Sequence, residues 1–254
     1  TQAKVGLYPS RQILPYDFRA PVGEIMGQRL STLSRLVDGR LRVVVAPIRA
    51  LVEPTITPEA LRESRVSLTV GEETDLDDLT ARLVRLGFRR VPLVEEVGDF
   101  ARRGGLIDLF TADSEYPVRG EFLGDQVESI RLFDVANQRT IGKQGSVQIV
   151  PKREVPITPE NLEQFLDQLP SDDSEYIRTR YLNDPELPGL EWLSVLFGLS
   201  QGSLIDFLPP KTVTVCRNKS RLIDESRVIL AEGHALRDRL REKLATLPTP
   251  EQYY

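Results

Sequence analysis

The sequence predicts an α/β fold: a split Rossmann- or RecA-like domain, degenerate and without a phosphate loop, into which an antiparallel α+β domain is inserted. Three observations predict it. A helical pattern runs into the β-branched segment LRVVVAP (41–47), short strand-like segments with Gly and Asp turns follow between 88 and 149, and helical patterns return near residue 150. The predicted boundaries are 1–51 and 147–254 for the two parts of the split domain and 52–146 for the inserted domain.

The first part begins with a helix and ends with a strand. Apolar residues recur at near-helical spacing before a stop at Gly39, namely at Ile25, Met26, Leu30, Leu33 and Leu36. The nearly continuous apolar run that follows is typical of a strand buried on both faces of a parallel sheet.

The inserted part combines helices with a meander. TPEALRES is typical of a short capped helix and RVSLTVGEE of a strand, whereas DLDDLTARLVRLGF carries acids in its first turn, as helix N-termini favour. The consecutive strand-like segments are FRRVPLV, FARRGGLIDLF, YPVRGEFLG, QVESIRLFDV and RTIGKQGSVQIVP.

The last part is mainly helical. ITPENLEQFLDQL predicts a helix with Thr158 as N-cap, and LPGLEWLSVLFG predicts a short apolar helix. TVTVC (212–216) predicts a buried strand that ends at Cys216, and residues 225–247 predict a long, charged, exposed helix.

Composition limits the function. Of the 254 residues 28% are charged, and the net charge of -5 argues against a free-standing DNA binder, which needs a strongly positive face. Cys216 is the single cysteine, so no internal disulfide can form, which fits a reducing cytoplasm, and we expect it to be an inert buried thiol. With His234 as the single histidine, a Cys/His zinc site is excluded, and no apolar run or leader-like start predicts a membrane span or a signal peptide.

Catalytic motifs are missing from the sequence. It contains no G-x-x-x-x-G-K-[ST] phosphate loop and no G-x-S-x-G elbow, and Gly104-Gly105 lies between strands, where a bulge or a close backbone approach explains it. His234 lies on a charged helix. We therefore expect no catalytic, cofactor-binding or metal-binding residues, and no enzyme activity in this chain.

The ribbon from Phe100 to Phe133 is the most informative segment, because Arg102, Arg103, Arg119 and Arg131 lie on its strands. Val118 and Phe122 should share one face, and Arg119, Glu121 and Leu123 the other. Arginine beside an exposed leucine is typical of protein-binding surfaces. The alternative is an ordinary solvated sheet face with Arg–Glu pairs worth less than about 1 kcal/mol each. The length of the loop at 123–126 leaves the register open.

A resemblance adds to this interpretation. VGDFARRGGLIDLFTADSEYPVRGEFLGDQVESIRLFDVANQRT (97–140) resembles the UvrB-homology module of bacterial transcription-repair coupling factors. The segments ILPYDFRAP, GQRLSTLSRL and VVVAPIRAL upstream, and IVPKREVPI and LPGLEWLSVLFG downstream, follow the same family, whose own beginning we expect before Thr1. UvrB differs in two respects: it carries an aromatic-rich hairpin where this chain has one helix (15–43), and it keeps a phosphate loop.

The resemblance implies that the module recruits UvrA. Arg103 and Arg119 match family residues at the UvrA contact, and Arg102, Glu121, Phe122 and Leu123 complete the predicted set. The family pair at 122–123 is often Phe-Phe and an apolar residue usually replaces Gly120, so Leu123 and Gly120 depart from the pattern.

For the full-length protein, the resemblance implies an ATP-driven DNA translocase that displaces stalled RNA polymerase from double-stranded DNA in the bacterial cytoplasm. ATP and magnesium would bind only in its later domains, and a C-terminal domain would mask the UvrA surface. Two alternatives stay open: a nucleic-acid-binding ribbon of a UvrB-like repair protein, and a degenerate nucleotide site in the split domain.

Overall fold

The structure is a computed structural model that describes residues 4–19, 22–155, 159–181, 189–196 and 202–254. It is a mixed α/β structure with several sheets and divides into two compact units. Unit 1 consists of Thr1–Val22, Val43–Pro58 and Val155–Tyr254, and unit 2 of Gly23–Arg42 and Glu59–Glu154. The predicted domain boundaries remain a prediction about which segments fold independently.

The elements in chain order are β1 (Val5–Leu7), α1 (Gly23–Val37), β2 (Val43–Val45), α2 (Ile48–Val52), α3 (Pro58–Ser64), β3 (Val66–Thr69), α4 (Leu76–Arg85), β4 (Arg89–Arg90), β5 (Asp99–Arg103), β6 (Leu106–Leu109), β7 (Val118–Leu123), β8 (Gln126–Phe133), β9 (Thr140–Gln144), β10 (Ser146–Ile149), α5 (Pro159–Leu166), α6 (Ser171–Tyr181), α7 (Leu190–Leu196), a 3-10 helix (Leu204–Phe207), α8 (Lys219–Leu240) and α9 (Pro250–Tyr253).

Unit 2 is built on a six-stranded sheet in the order β4-β5-β6-β7-β8-β9. All its pairs are antiparallel except β4 with β5, so the predicted meander is present. One face of this sheet, called the covered face below, packs its apolar residues against α4 and against the antiparallel pair β3–β10. The opposite face is called the outer face.

Helix α4 forms where its acidic first turn predicted it. Asp75 caps the helix, because its carboxylate accepts hydrogen bonds from the backbone N–H groups of Asp77 and Asp78, both at 2.8 Å. Its buried apolar residues, Leu76, Leu79 and Leu83, lie in the same core as Phe100, Ile107, Val118 and Ile130 of the sheet.

Helix α1 belongs to unit 2 and is anchored by a buried ion pair. The Arg29 guanidinium donates to both carboxylate oxygens of Glu154, at 2.7 and 3.1 Å, and both side chains are fully buried. The pair links residues 125 positions apart in sequence, so it fixes the helix to the last residue of the unit.

Unit 1 contains the parallel pair β1–β2, with Val5 opposite Val43 and Leu7 opposite Val45. The predicted burial of β2 on both faces is wrong, since these four side chains are each about half exposed. The β-branched run gave a strand because of its local conformational preference, but burial needs a covering layer, and none lies on this face within the described residues.

The core of unit 1 is helical and aromatic. Trp192 stacks edge-on against Phe18, with ring centroids 5.3 Å apart, and its indole N–H donates to the Asp17 carbonyl at 3.2 Å. The Tyr16 hydroxyl donates to the Pro248 carbonyl at 2.9 Å. The predicted short helix around Trp192 and the helix that begins at Pro159 are both present, whereas the predicted N-cap Thr158 lies outside the described residues.

The predicted strand 212–216 is not formed. Residues 209–221 are exposed without interruption, Val213 and Val215 by 84% and 87%, and Cys216 is an exposed free thiol rather than a buried one. The alternation of β-branched residues marks a tendency to form a strand, but no neighbouring strand pairs with this segment in the part of the chain that the structure describes. The long helix predicted after it is present as α8.

Among the residues that the structure describes, no helix is long and apolar enough to cross a membrane. No group of three or more His, Cys, Asp or Glu side chains among them is placed to hold a metal ion.

Candidate partner-binding face

A β-bulge sets which side chains share the outer face. Along β7 and β8, Arg119 is opposite Arg131 and Glu121 opposite Ser129, but Phe122 is opposite Val127, so Glu128 is the extra residue. Phe122 packs into the core of the covered face together with Val118, as predicted. Arg119, Glu121 and Leu123 alternate with them and lie on the outer face.

Two rows of aligned residues cross the outer face. The first row consists of Ala101, Asp108, Arg119, Arg131 and Lys143, which are successive partners across β5 to β9. The second row consists of Arg103, Leu106, Glu121 and Ser129, across β5 to β8. These two sets are called the first row and the second row below.

Arg119 is held in the first row by a bidentate ion pair. Its Nε and Nη2 donate to the two carboxylate oxygens of Asp108 at 2.6 and 2.8 Å, and its guanidinium lies 4.8 Å from the centre of the Phe133 ring. The hydrogen bond to Asp108 raises the pKa of Arg119, so the side chain stays cationic. Because Asp108 is buried and Arg119 only partly so, the pair fixes the direction of the guanidinium.

Arg131 and Glu121 connect the two rows. Arg131 Nη2 donates to Glu121 Oε2 at 2.6 Å, and the Ser129 hydroxyl donates to the same oxygen at 2.5 Å. The Nε of Arg131 is buried and has no hydrogen-bond partner in the structure. The pair itself is about one-third exposed, so water screens it.

The six predicted site residues divide between the two faces. Arg103, Arg119, Glu121 and Leu123 lie on the outer face, where Arg103 is exposed and donates to the Pro92 carbonyl. Arg102 lies on the covered face and pairs with Asp77 of α4. Phe122 also lies on the covered face. The structure therefore brings four of the six together.

Comparison with known proteins gives the relationships of this chain. Residues 66–155 match the family model of the UvrB interaction domain. The chain is 32% identical to the transcription-repair-coupling factor of Haemophilus influenzae over 217 residues, which cover 83% of this chain and 19% of that protein. It is 41% identical to that of Myxococcus xanthus over 153 residues (60% and 13%) and 30% identical to that of Escherichia coli over 210 residues (80% and 18%).

The chain is homologous to the transcription-repair-coupling factors and carries a UvrB interaction domain. It spans about a fifth or less of the length of these relatives. The six-stranded sheet, both rows and the α4 layer all fall within the residues of the UvrB interaction domain.

The structure accounts for Gly120, where this UvrB interaction domain departs from the family pattern. A Cβ atom at Gly120 would lie 3.2 Å from both Ile107 Cγ2 and the Phe122 ring. Gly105 is also in close approach, since a Cβ there would lie 2.7 Å from the Phe122 carbonyl oxygen. Gly120 therefore makes room for the Phe122 ring on the covered face, whereas Gly105 allows the backbone of β7 to approach closely.

Three residues of the UvrB interaction domain face were missed by the sequence analysis. Asp108 clamps Arg119, Lys143 extends the first row, and Leu106 adds a partly exposed apolar side chain to the second row. Alternation along LIDL places Leu106 and Asp108 on one face, but their partners depend on the pairing of β6 with β7.

Proposed function

We propose that this chain is the UvrA-recruiting module of a transcription-repair-coupling factor and links the removal of stalled RNA polymerase to nucleotide excision repair. One observation carries the proposal: the outer face of its UvrB interaction domain presents Arg103, Arg119, Glu121 and an exposed Leu123 together. Homology to the coupling factors and the name of the matched domain support it.

The face has the composition of a protein contact. Leu123 is 72% exposed, although fully burying a leucine side chain is worth about 1.5–3 kcal/mol. On the same face of β7, four residues before Leu123, Arg119 is already ordered by Asp108, so less rotamer entropy is lost when a partner binds. An ordinary solvated sheet face needs neither an ordered cation nor a largely exposed leucine.

The remaining roles concern the whole protein. We propose that the full-length protein is an ATP-dependent DNA translocase of the bacterial cytoplasm that engages RNA polymerase and double-stranded DNA. In this proposal its ATP and magnesium sites lie outside this chain, which binds no cofactor, and its C-terminal domain masks the UvrA surface. The split RecA-like architecture of unit 1 is part of the same proposal, supported by the parallel pairing of β1 with β2.

A calorimetric titration of the chain with purified UvrA tests the proposal. The double variant Arg103→Ala/Leu123→Ala removes two exposed side chains of the outer face, and its affinity should fall at least about tenfold. The matched control is Val84→Ala/Arg85→Ala, which removes an exposed apolar and an exposed cationic side chain from α4 on the opposite face. Equal affinities of the two double variants would remove Arg103 and Leu123 from the site, and failure of the unmodified chain to bind would refute the function.

Salt dependence separates this function from nucleic-acid binding. Phosphate contacts release counterions, so the affinity for DNA falls steeply between about 50 and 200 mM salt. A contact that mixes arginines with Leu123 should lose much less affinity over this range. A steep loss together with binding to duplex DNA would favour the alternative of a nucleic-acid-binding ribbon.

A further inference from the structure

The first row of the outer face places three cations directly opposite one another. Arg119 on β7 faces Arg131 on β8, which faces Lys143 on β9. Neighbouring strands lie about 4.8 Å apart, so the three side chains extend over about 10 Å. Like charges directly opposite each other destabilise a sheet, so folding alone does not explain this arrangement.

The carboxylates of the outer face compensate this row only in part. Asp108 binds Arg119 and Glu121 binds Arg131, but Lys143 is exposed and makes no ion pair within the described residues. The charged residues of the two rows are four cations (Arg103, Arg119, Arg131, Lys143) and two carboxylates (Asp108, Glu121), a net charge of +2. The chain as a whole has a net charge of -5, so the rows are a local basic surface.

Several hydrogen-bond donors of the first row have no acceptor among the residues that the structure describes. A guanidinium carries five N–H donors, and Arg119 uses its Nε and Nη2 on Asp108. Arg131 uses Nη2 on Glu121, and its Nη1 donates to no residue that the structure describes. The ammonium group of Lys143 donates to no residue described in the structure. Water accepts from these partly exposed donors in the free chain, so a partner that supplies acceptors can replace that water.

From this geometry we infer that the contact surface extends beyond Arg103 and Arg119 to Arg131 and Lys143, and that the partner's facing surface carries at least two carboxylates about one strand spacing, roughly 5 Å, apart. The inference rests on the proposed function, and it adds the chemistry of the partner's side. Carboxylates accept from guanidinium and ammonium groups with charge-assisted hydrogen bonds.

An acidic protein surface fits this face better than a nucleic acid does. Leu106 and Leu123 are exposed on the same face and gain from burial against a protein. Duplex DNA offers phosphates along its surface and no apolar patch to cover both leucines.

Charge reversal at Lys143 tests the extension in the UvrA titration. The variant Lys143→Glu should weaken binding at least about tenfold, mainly through a slower association rate, because facing carboxylates then repel. Lys143→Arg should bind as the unmodified chain does. The control Arg85→Glu on α4 carries the same change of charge, from -5 to -7, and should change affinity by less than about twofold. Since the introduced carboxylate would lie opposite Arg131, folding should persist, and circular dichroism verifies it.

The other outcomes of this titration distinguish failure of the extension from failure of the proposed function. Equal affinities of Lys143→Glu and Arg85→Glu overturn the extension and leave the proposed function in place. An unmodified chain that does not bind UvrA overturns both. If Lys143→Glu abolishes binding to a duplex DNA of about two helical turns but leaves UvrA binding unchanged, the row serves a nucleic acid and the acidic-protein inference is wrong.

Discussion

Removal of Arg119 should destabilise unit 2 much more than an ordinary surface substitution. In Arg119→Ala the Asp108 carboxylate, whose side chain is 6% exposed, loses both of its charged donors. Breaking a buried pair in this way costs about 3–5 kcal/mol, whereas an exposed pair is worth about 0–1 kcal/mol. Arg119 is 22% exposed, so water reaches part of the vacated site, and we expect a loss of about 2–3 kcal/mol in the free energy of unfolding.

Urea denaturation followed by far-UV circular dichroism measures this loss. The matched control is Arg131→Ala, which breaks a pair whose two partners are about one-third exposed and should cost less than about 1 kcal/mol. The double variant Asp108→Leu/Arg119→Met removes both charges and should recover most of the stability. The reasoning fails if Arg119→Ala is no less stable than Arg131→Ala, or if the double variant is as unstable as Arg119→Ala. Because Arg119→Ala lowers the free energy of unfolding, a weaker apparent affinity of this variant for UvrA includes a contribution from lost stability.

Three further predictions concern other parts of the chain. Arg29→Ala removes the guanidinium that pairs with the fully buried Glu154 carboxylate and should lower the free energy of unfolding by about 3–5 kcal/mol in the same urea assay; a loss under about 1 kcal/mol would contradict it. Burial raises the pKa of Tyr16 to about 12, so its stabilising contribution is complete below about pH 10 and is lost as the pH rises towards 12. Absorbance at about 295 nm should show that Tyr16→Phe lacks one late-titrating phenol. Brief trypsin digestion should cut first within 211–221, and mass spectrometry that locates the first cut elsewhere would refute this.

Local patterns predicted the elements of the UvrB interaction domain well. The Asp75 cap and the apolar spacing of α4 are local signals, and the two-residue period of a strand placed Arg119, Glu121 and Leu123 on one face. Neither signal depends on how distant segments meet.

The features that depend on strand pairing could not be predicted from the sequence. The bulge at Glu128 and the Asp108–Arg119 clamp require the registers of β7–β8 and β6–β7, which the loop at 123–126 left open. In the same way, the segment 212–216 has the residues of a strand, but its burial depends on a neighbouring strand that the sequence of this segment does not specify.

The exposed thiol of Cys216 is a site at which the chain can be labelled specifically. It is the single cysteine of the sequence, and it lies in unit 1, whereas the rows proposed to bind a partner lie in unit 2. A maleimide fluorophore therefore attaches at one defined position without replacing any side chain of those rows. The same accessibility means that two molecules can cross-link through Cys216 under oxidising conditions, so a reductant belongs in every affinity measurement made with the unlabelled chain.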